Sequence, residues 1–127
     1  MIVKSSPVLI VDDEPIVREA IRDWLVDAGY DVAIAESGEE ALEIIARRDF
    51  GVMVVDLRLP GMTGLKVLKE VKERRPAMKS IVITAYPTPE TAAEAEHLGA
   101  LGFLVKPVAP DELERLIKEA LAKAGTE

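Results

Sequence analysis

Val8-Leu9-Ile10-Val11-Asp12-Asp13-Glu14-Pro15 is the stretch on which the fold turns. Four apolar residues run without a polar interruption, three acids follow at once, and a proline comes next. An unbroken, β-branched run of this length suits a strand covered on both faces, as parallel strands are. Proline suits the first turn of a helix, where its missing N–H is not needed. The segment therefore reads as a buried strand that ends in carboxylates and passes directly into a helix.

The same punctuation repeats outward along the chain. Further strand-like runs are Val32–Ala35, Val52–Val55, Ser80–Thr84 and Leu101–Val105. The run at Val32–Ala35 is the most mixed and is expected near a sheet edge. Helical spacing alternates with these runs. Ile16, Val17, Ala20, Ile21, Trp24, Leu25 and Ala28 form one apolar face closed by Gly29. Ser37 is placed to cap a second helix through Ala41, Leu42, Ile44 and Ile45. Leu65, Leu68 and Val71 mark a third, which Pro76 ends. Thr88-Pro89-Glu90 opens a fourth, and Leu113, Leu116, Ile117, Ala120 and Leu121 carry the fifth. The expected class is α/β, a βαβαβαβαβα chain with a parallel sheet and right-handed crossovers.

The fourth helix stands apart. Its inward candidates are Ala92, Ala93, Ala95 and Leu98, and at about 25 cal/mol per Å² small side chains stabilise docking weakly. It is expected to be the most loosely held element, although a small-residue packing face has the same composition.

Composition narrows the chemistry. The chain has 127 residues, 49% hydrophobic, with 16 basic and 23 acidic side chains and a net charge of −7. That length suits one domain, with its core at about residues 7–122 and with Met1–Ser6 and Gly125–Glu127 unanchored. The acidic balance argues against nucleic-acid binding, which needs a basic face. With no cysteine and His97 as the lone histidine, thiolate metal sites and a Ser-His-Asp triad are excluded. No apolar run reaches the ~18 residues of a membrane span, and the apolar start is too short for a signal peptide. A cytoplasmic domain is expected. Carboxylate chemistry and hard cations remain. The basic run Lys66, Lys69, Lys72, Arg74, Arg75 and Lys79 reads as a solvated helix face.

The chemically informative residues all fall where strands end: Asp12 and Asp13 follow the first, Asp56 ends the third, Thr84 the fourth and Lys106 the fifth. Ligands of open α/β sheets bind beyond the carboxyl ends of strands, where strand order reverses. If the first and third strands are neighbours, three carboxylates converge, and their repulsion calls for raised pKa values or a cation. Oxygen donors alone favour Mg²⁺. Taken singly, each residue has a second reading. Asp12 and Asp13 suit a helix start, Asp56 a turn, Thr84 a strand-end hydroxyl and Lys106 a solvated lysine. Their common placement favours a site.

From Pro7 to Ala122 the sequence resembles the receiver domain of two-component response regulators. The motifs are Asp12-Asp13-Glu14, Asp56-Leu-Arg-Leu-Pro60-Gly61-Met-Thr-Gly64, Thr84-Ala85 and Lys106-Pro107. The resemblance implies one flavodoxin-like (βα)5 domain over residues 1–127, with a five-stranded sheet in the order 2-1-3-4-5 and helices on both faces. It implies Asp56 as phosphoacceptor from a histidine kinase or phosphotransfer protein. It implies Mg²⁺ on Asp13, Asp56 and the Arg58 backbone carbonyl, with Asp12 acting mainly through water. Lys106 would pair with Asp56 and then with a phosphoryl oxygen, across a cis Lys106–Pro107 bond. Thr84 and Phe103 would form the conformational couple; Phe103 stands where many relatives carry tyrosine, and by position it is equally a core side chain. The fourth helix, fifth strand and fifth helix would form the output face, for a partner, a homodimer or an attached effector. The domain would catalyse its own phosphoryl transfer and autodephosphorylation, without binding nucleic acid or membrane itself. Arg58 and Tyr86, each two residues beyond a site residue, are expected to shield the acyl phosphate from water.

The sequence lacks the marks of two other classes. A haloacid dehalogenase phosphatase needs a second Asp two residues after its nucleophile, where this chain has Arg58. A flavodoxin-type cofactor binder needs a Ser/Thr/Gly-rich loop where this chain has Asp-Asp-Glu. Gly61 and Gly64 lack the spacing of a phosphate loop and suit the turn into the third helix.

Overall fold

A computed structural model describes residues 6–125. Five strands alternate with five helices: β1 (Val8–Val11), α1 (Pro15–Asp27), β2 (Val32–Ala35), α2 (Gly38–Arg47), β3 (Val52–Asp56), α3 (Gly64–Arg74), β4 (Lys79–Thr84), α4 (Pro89–His97), β5 (Gly102–Val105) and α5 (Pro110–Gly125). The strands form one sheet in the order β2-β1-β3-β4-β5, with every pair parallel. The expected class, strand order and edge position of the second strand all hold. The third strand extends through Asp56, and the fourth starts one residue early at Lys79.

Strand alternation sends successive side chains to two apolar layers. Val8, Ile10, Val52, Val54, Ile81, Ile83 and Leu104 pack with Ile21 and Leu25 of α1 and with Leu113 and Ile117 of α5. Leu9, Val11, Met53, Val55 and Val82 pack on the opposite side with residues of α2, α3 and α4. Burial on both faces explains why β1 and β3 read as unbroken apolar runs.

Local chemistry sets the helix ends. Ser37 Oγ accepts the Glu40 amide at 3.1 Å and caps α2. Thr88 caps α4 in a reciprocal box with Thr91. Gly29, with φ 98°, closes α1, and the Tyr30 amide bonds back to Leu25 O at 2.9 Å, the pattern that favours glycine.

Several expectations change. Ile16, assigned to the packing face of the first helix, is 85% exposed, whereas Arg18 is buried. Position 16 is in the first turn, beyond the sheet's reach, and Arg18 turns inward to a backbone carbonyl. Ala93 is exposed, and Ala95 is the only buried residue of α4; residues two apart point to nearly opposite sides of a helix, so Ala93 cannot share the face of Ala92 and Ala95. Ser6, expected loose, is half-buried, and its Cβ lies 3.0 Å from where a Cβ on Gly51 would stand. Gly125 falls within α5. The rest of those two expected loose ends, residues 1–5 and 126–127, lies outside the described residues.

Candidate functional site

Register assembles the site. Val11 of β1 pairs with Val55 of β3, so the next residue on each strand is a carboxylate, Asp12 beside Asp56. Asp13 follows at the start of the turn into α1. One oxygen from each of the three acids lies within 4.8 Å of the others. Across the sheet, Thr84 is the last residue of β4 and pairs with Val105. The next residue on β5, Lys106, donates its amide to Thr84 O at 2.8 Å. Of the residues expected at strand ends, Asp13, Asp56 and Lys106 line one cleft of about 260 Å³ with Glu14, Arg58, Ala85 and Tyr86, while Asp12 and Thr84 are buried beside it.

The Lys106 ammonium organises the cleft. Its Nζ lies 2.7 Å from Asp56 Oδ2, 2.7 Å from Glu14 Oε1 and 3.0 Å from Asp12 Oδ2. Burial works to lower its pKa, but the bonds to Asp56, Glu14 and Asp12 outweigh this and hold it above the ordinary lysine value. The Lys106–Pro107 bond is cis.

Asp56 is held at both oxygens. Oδ1 accepts the Arg58 amide at 2.9 Å and Oδ2 accepts from Lys106. Gly64 lets the loop close here. A Cβ on residue 64 would collide with the Asp56 carbonyl oxygen and lie 2.6 Å from Leu57 Cα, so the third-helix turn has no room for a side chain.

Asp12 is wholly buried. Burial raises its pKa above the ordinary 3.8, against lowering contributions from the Glu14 amide and Lys106, while Asp56 adds to the rise. Its Oδ1 accepts the Glu14 amide at 2.8 Å. Its Oδ2 accepts no hydrogen bond of good geometry, although the ammonium is 3.0 Å away. A buried carboxylate oxygen left short of partners, with two further carboxylates beside it, fits a small hard cation.

Thr84 is buried, and its Oγ1 accepts the Tyr86 amide at 3.1 Å. Val82 pairs with Phe103 two residues before the Thr84–Val105 pair, so Thr84 and Phe103 share a face of the sheet. Phe103 is partly buried against the layer that contains Ala95. Arg58 and Tyr86 meet across the cleft mouth, with the guanidinium 4.6 Å from the ring centroid. His97 is exposed at the end of α4.

Two functional contacts escaped the sequence. Glu14 pairs with Lys106; its only sequence signal is adjacency to the acid pair. Arg18, buried in α1, donates from Nη1 to Asp12 O at 2.8 Å and so pins the turn carrying the acids. An arginine one turn into an amphipathic helix looks like any surface cation, so nothing in the sequence marks it.

Comparison with known proteins agrees with this geometry. The model for the response regulator receiver domain matches residues 8–118. The transcriptional regulatory protein ZraR of Escherichia coli (strain K12) is 40% identical over 119 residues, covering 91% of this chain and 26% of that protein. The alginate biosynthesis transcriptional regulatory protein AlgB of Pseudomonas aeruginosa is 38% identical over 110 residues, covering 87% of this chain and 24% of that protein. The chain thus spans about a quarter of the length of such relatives. Among solved structures, a CheY-like receiver domain protein from Methanospirillum hungatei JF-1 superposes with a TM-score of 0.91 at 33% identity, covering 94% of this chain and 96% of that one. The beryllofluoride-activated NtrC4 receiver domain dimer gives 0.89 at 32% identity, covering 94% and 98%. A haloacid dehalogenase phosphatase finds no support, because the match is to a different family and Arg58 stands where that chemistry needs Asp. With this family match, the strand order, and the acid cluster, threonine and lysine gathered at the same ends of the strands, the chain belongs to the response regulator receiver domain family.

Proposed function

We propose that this chain is a phosphorylation-controlled signalling domain in which Asp56 accepts a phosphoryl group from a histidine kinase or phosphotransfer protein. The observation that carries the reading is the Asp56 carboxylate, almost fully buried, with Oδ2 2.7 Å from Lys106 Nζ and two more acids alongside. An Asp56 oxygen attacks phosphorus; the new O–P bond forms as the N–P bond to the donor imidazole breaks, leaving an aspartyl phosphate. Lys106 then exchanges its pairing with the carboxylate for pairing with a phosphoryl oxygen. Such transfer relies mainly on positioning and electrostatics, and the domain supplies both for its own phosphorylation and autodephosphorylation.

Asp13, Asp56 and the backbone carbonyl of Arg58 would hold Mg²⁺, with Asp12 contributing through water. Bound there, the cation would offset negative charge on the phosphoryl oxygens. The convergence of Asp12, Asp13 and Asp56 supports a cation at this place.

Thr84 and Phe103 transmit the change. The Thr84 hydroxyl turns toward a phosphoryl oxygen, and Phe103 takes up the space it vacates, altering the α4-β5-α5 face. A cavity of about 230 Å³ between α4 and β5, lined in part by Ala92, Ala95 and Phe103, gives the ring room. The face acts on a partner, an attached output domain or a second copy; the dimeric state of the NtrC4 receiver relative supports the last. We read the domain as cytoplasmic and without membrane or nucleic-acid binding of its own, the last because its net charge of −7 opposes polyanions; among the described residues no helix is long and apolar enough to cross a membrane.

The test is incubation with acetyl phosphate and Mg²⁺ followed by intact mass. One added phosphoryl group is expected on the wild type and none on Asp56→Asn. Equal labelling of Asp56→Asn sinks the assignment.

A further inference from the structure

Glu14 lies outside the residues that the proposed transfer consumes, yet its Oε1 is 2.7 Å from Lys106 Nζ, as close as Asp56 Oδ2. The contact is not a by-product of helix capping. Residue 14 is the N-cap of α1, but its side chain makes no cap bond. It is the backbone amide of Glu14, not the carboxylate, that Asp12 Oδ1 accepts. Among the described residues, the carboxylate's ionic partner is Lys106.

The three carboxylates around the ammonium differ in what becomes of them. Asp56 loses its free carboxylate when it is esterified, and a cation in the acid cluster draws on Asp12 and Asp56. Glu14, at the half-exposed rim, is neither esterified nor part of the acid cluster. Lysine carries its charge on a flexible four-carbon stem. The backbone of β5 fixes the start of that stem and nothing beyond it.

We propose that Glu14 is a positioning residue for Lys106, holding the ammonium at the cleft while its pairing passes from Asp56 to the phosphoryl group. This rests on the phosphoacceptor reading above. A pair open to water couples modestly, so the effect is several-fold and not an abolition.

The test is a double-mutant cycle on the whole chain, which separates action through Lys106 from direct action on donor or metal. Labelling by acetyl phosphate with saturating Mg²⁺ is timed by intact mass in the wild type, Glu14→Gln, Lys106→Gln and the double variant. Beryllofluoride affinity is measured in the same four proteins. Glu14→Gln is expected to slow labelling by about fivefold and to weaken beryllofluoride binding by a similar factor. In the Lys106→Gln background both effects should vanish. An unchanged or faster rate in Glu14→Gln overturns the proposal, as does an effect that survives in the Lys106→Gln background. If the wild type is never labelled, the phosphoacceptor reading falls and takes this proposal with it; if the wild type is labelled and the cycle shows no coupling, only the role of Glu14 falls.

Discussion

Two helices flank β5, and they hold it very differently. From α5, the side chains of Leu113, Leu116, Ile117, Ala120 and Leu121 are all buried. Leu116 packs so closely that a Cβ on Gly102 would stand 2.7 Å from its Cδ1. From α4, Ala95 alone is buried, with Ala92 and Leu98 half-covered. Apolar burial scales with area, so α5 is clamped to the sheet, and α4 docks through the buried methyl of Ala95 and the half-covered Ala92 and Leu98. The more weakly held helix lies beside Phe103 and follows Thr84, where a shift of the proposed kind would have to pass. An element with few buried contacts is the one that moves at low cost.

The largest expected effect tests the clamped side. Ile117→Ala should cost roughly 2–5 kcal/mol, the range for a fully buried aliphatic truncation, read from chemical denaturation. Ala95→Gly in α4 should cost only about 1 kcal/mol. Equal losses in the two variants would break the contrast between the helices. Hydrogen exchange gives a second view: α4 amides should exchange well before those in the middle of α5, and matched protection would show α4 to be as firmly docked.

A subtler comparison sets the acid cluster against the apolar core beneath it. Asp12 has a raised pKa in the folded chain, so above 3.8 the folded state binds more protons than the unfolded one. Its contribution to stability therefore falls as pH rises from 3.8 through the folded-state value. Asp12→Asn should remove that slope and raise the melting temperature of the metal-free protein at neutral pH. The same variant should lose most of the stabilisation that added Mg²⁺ gives the wild type. A lower melting temperature without metal would mean that the buried charge is already well compensated.

The smallest effect concerns the Arg58–Tyr86 pair over the cleft. An exposed cation–π contact is worth about 0.5–1 kcal/mol, so the Arg58→Ala, Tyr86→Ala double variant should shorten the lifetime of the aspartyl phosphate by roughly two- to fivefold. Following loss of the phosphoryl group by mass checks this. An unchanged lifetime removes the shielding role.

Much of the molecule was readable in one dimension. The unbroken runs at Val8–Val11 and Val52–Val55 announce strands covered on both faces, because only such strands have no side to leave polar. Proline, glycine, serine and threonine at helix ends mark boundaries through local geometry, which needs no tertiary partner. The positions of Asp12, Asp13, Asp56, Thr84 and Lys106 at the ends of strands follow from the same punctuation, and the strand order came by family resemblance.

What the sequence by itself determined is therefore everything that depends on spacing along the chain: the alternation of elements, most of their limits and the strand-end acids. Tertiary structure alone decided which of the equally spaced residues face inward. Ile16 and Arg18 occupy neighbouring positions on α1, yet the isoleucine is in water and the arginine is buried against Asp12 O. The pairing of Glu14 with Lys106 spans 92 residues, and it exists only because β1 and β5 end in the same direction in one parallel sheet. Periodicity reports which faces are apolar, but contact between distant charges depends on how the sheet is assembled.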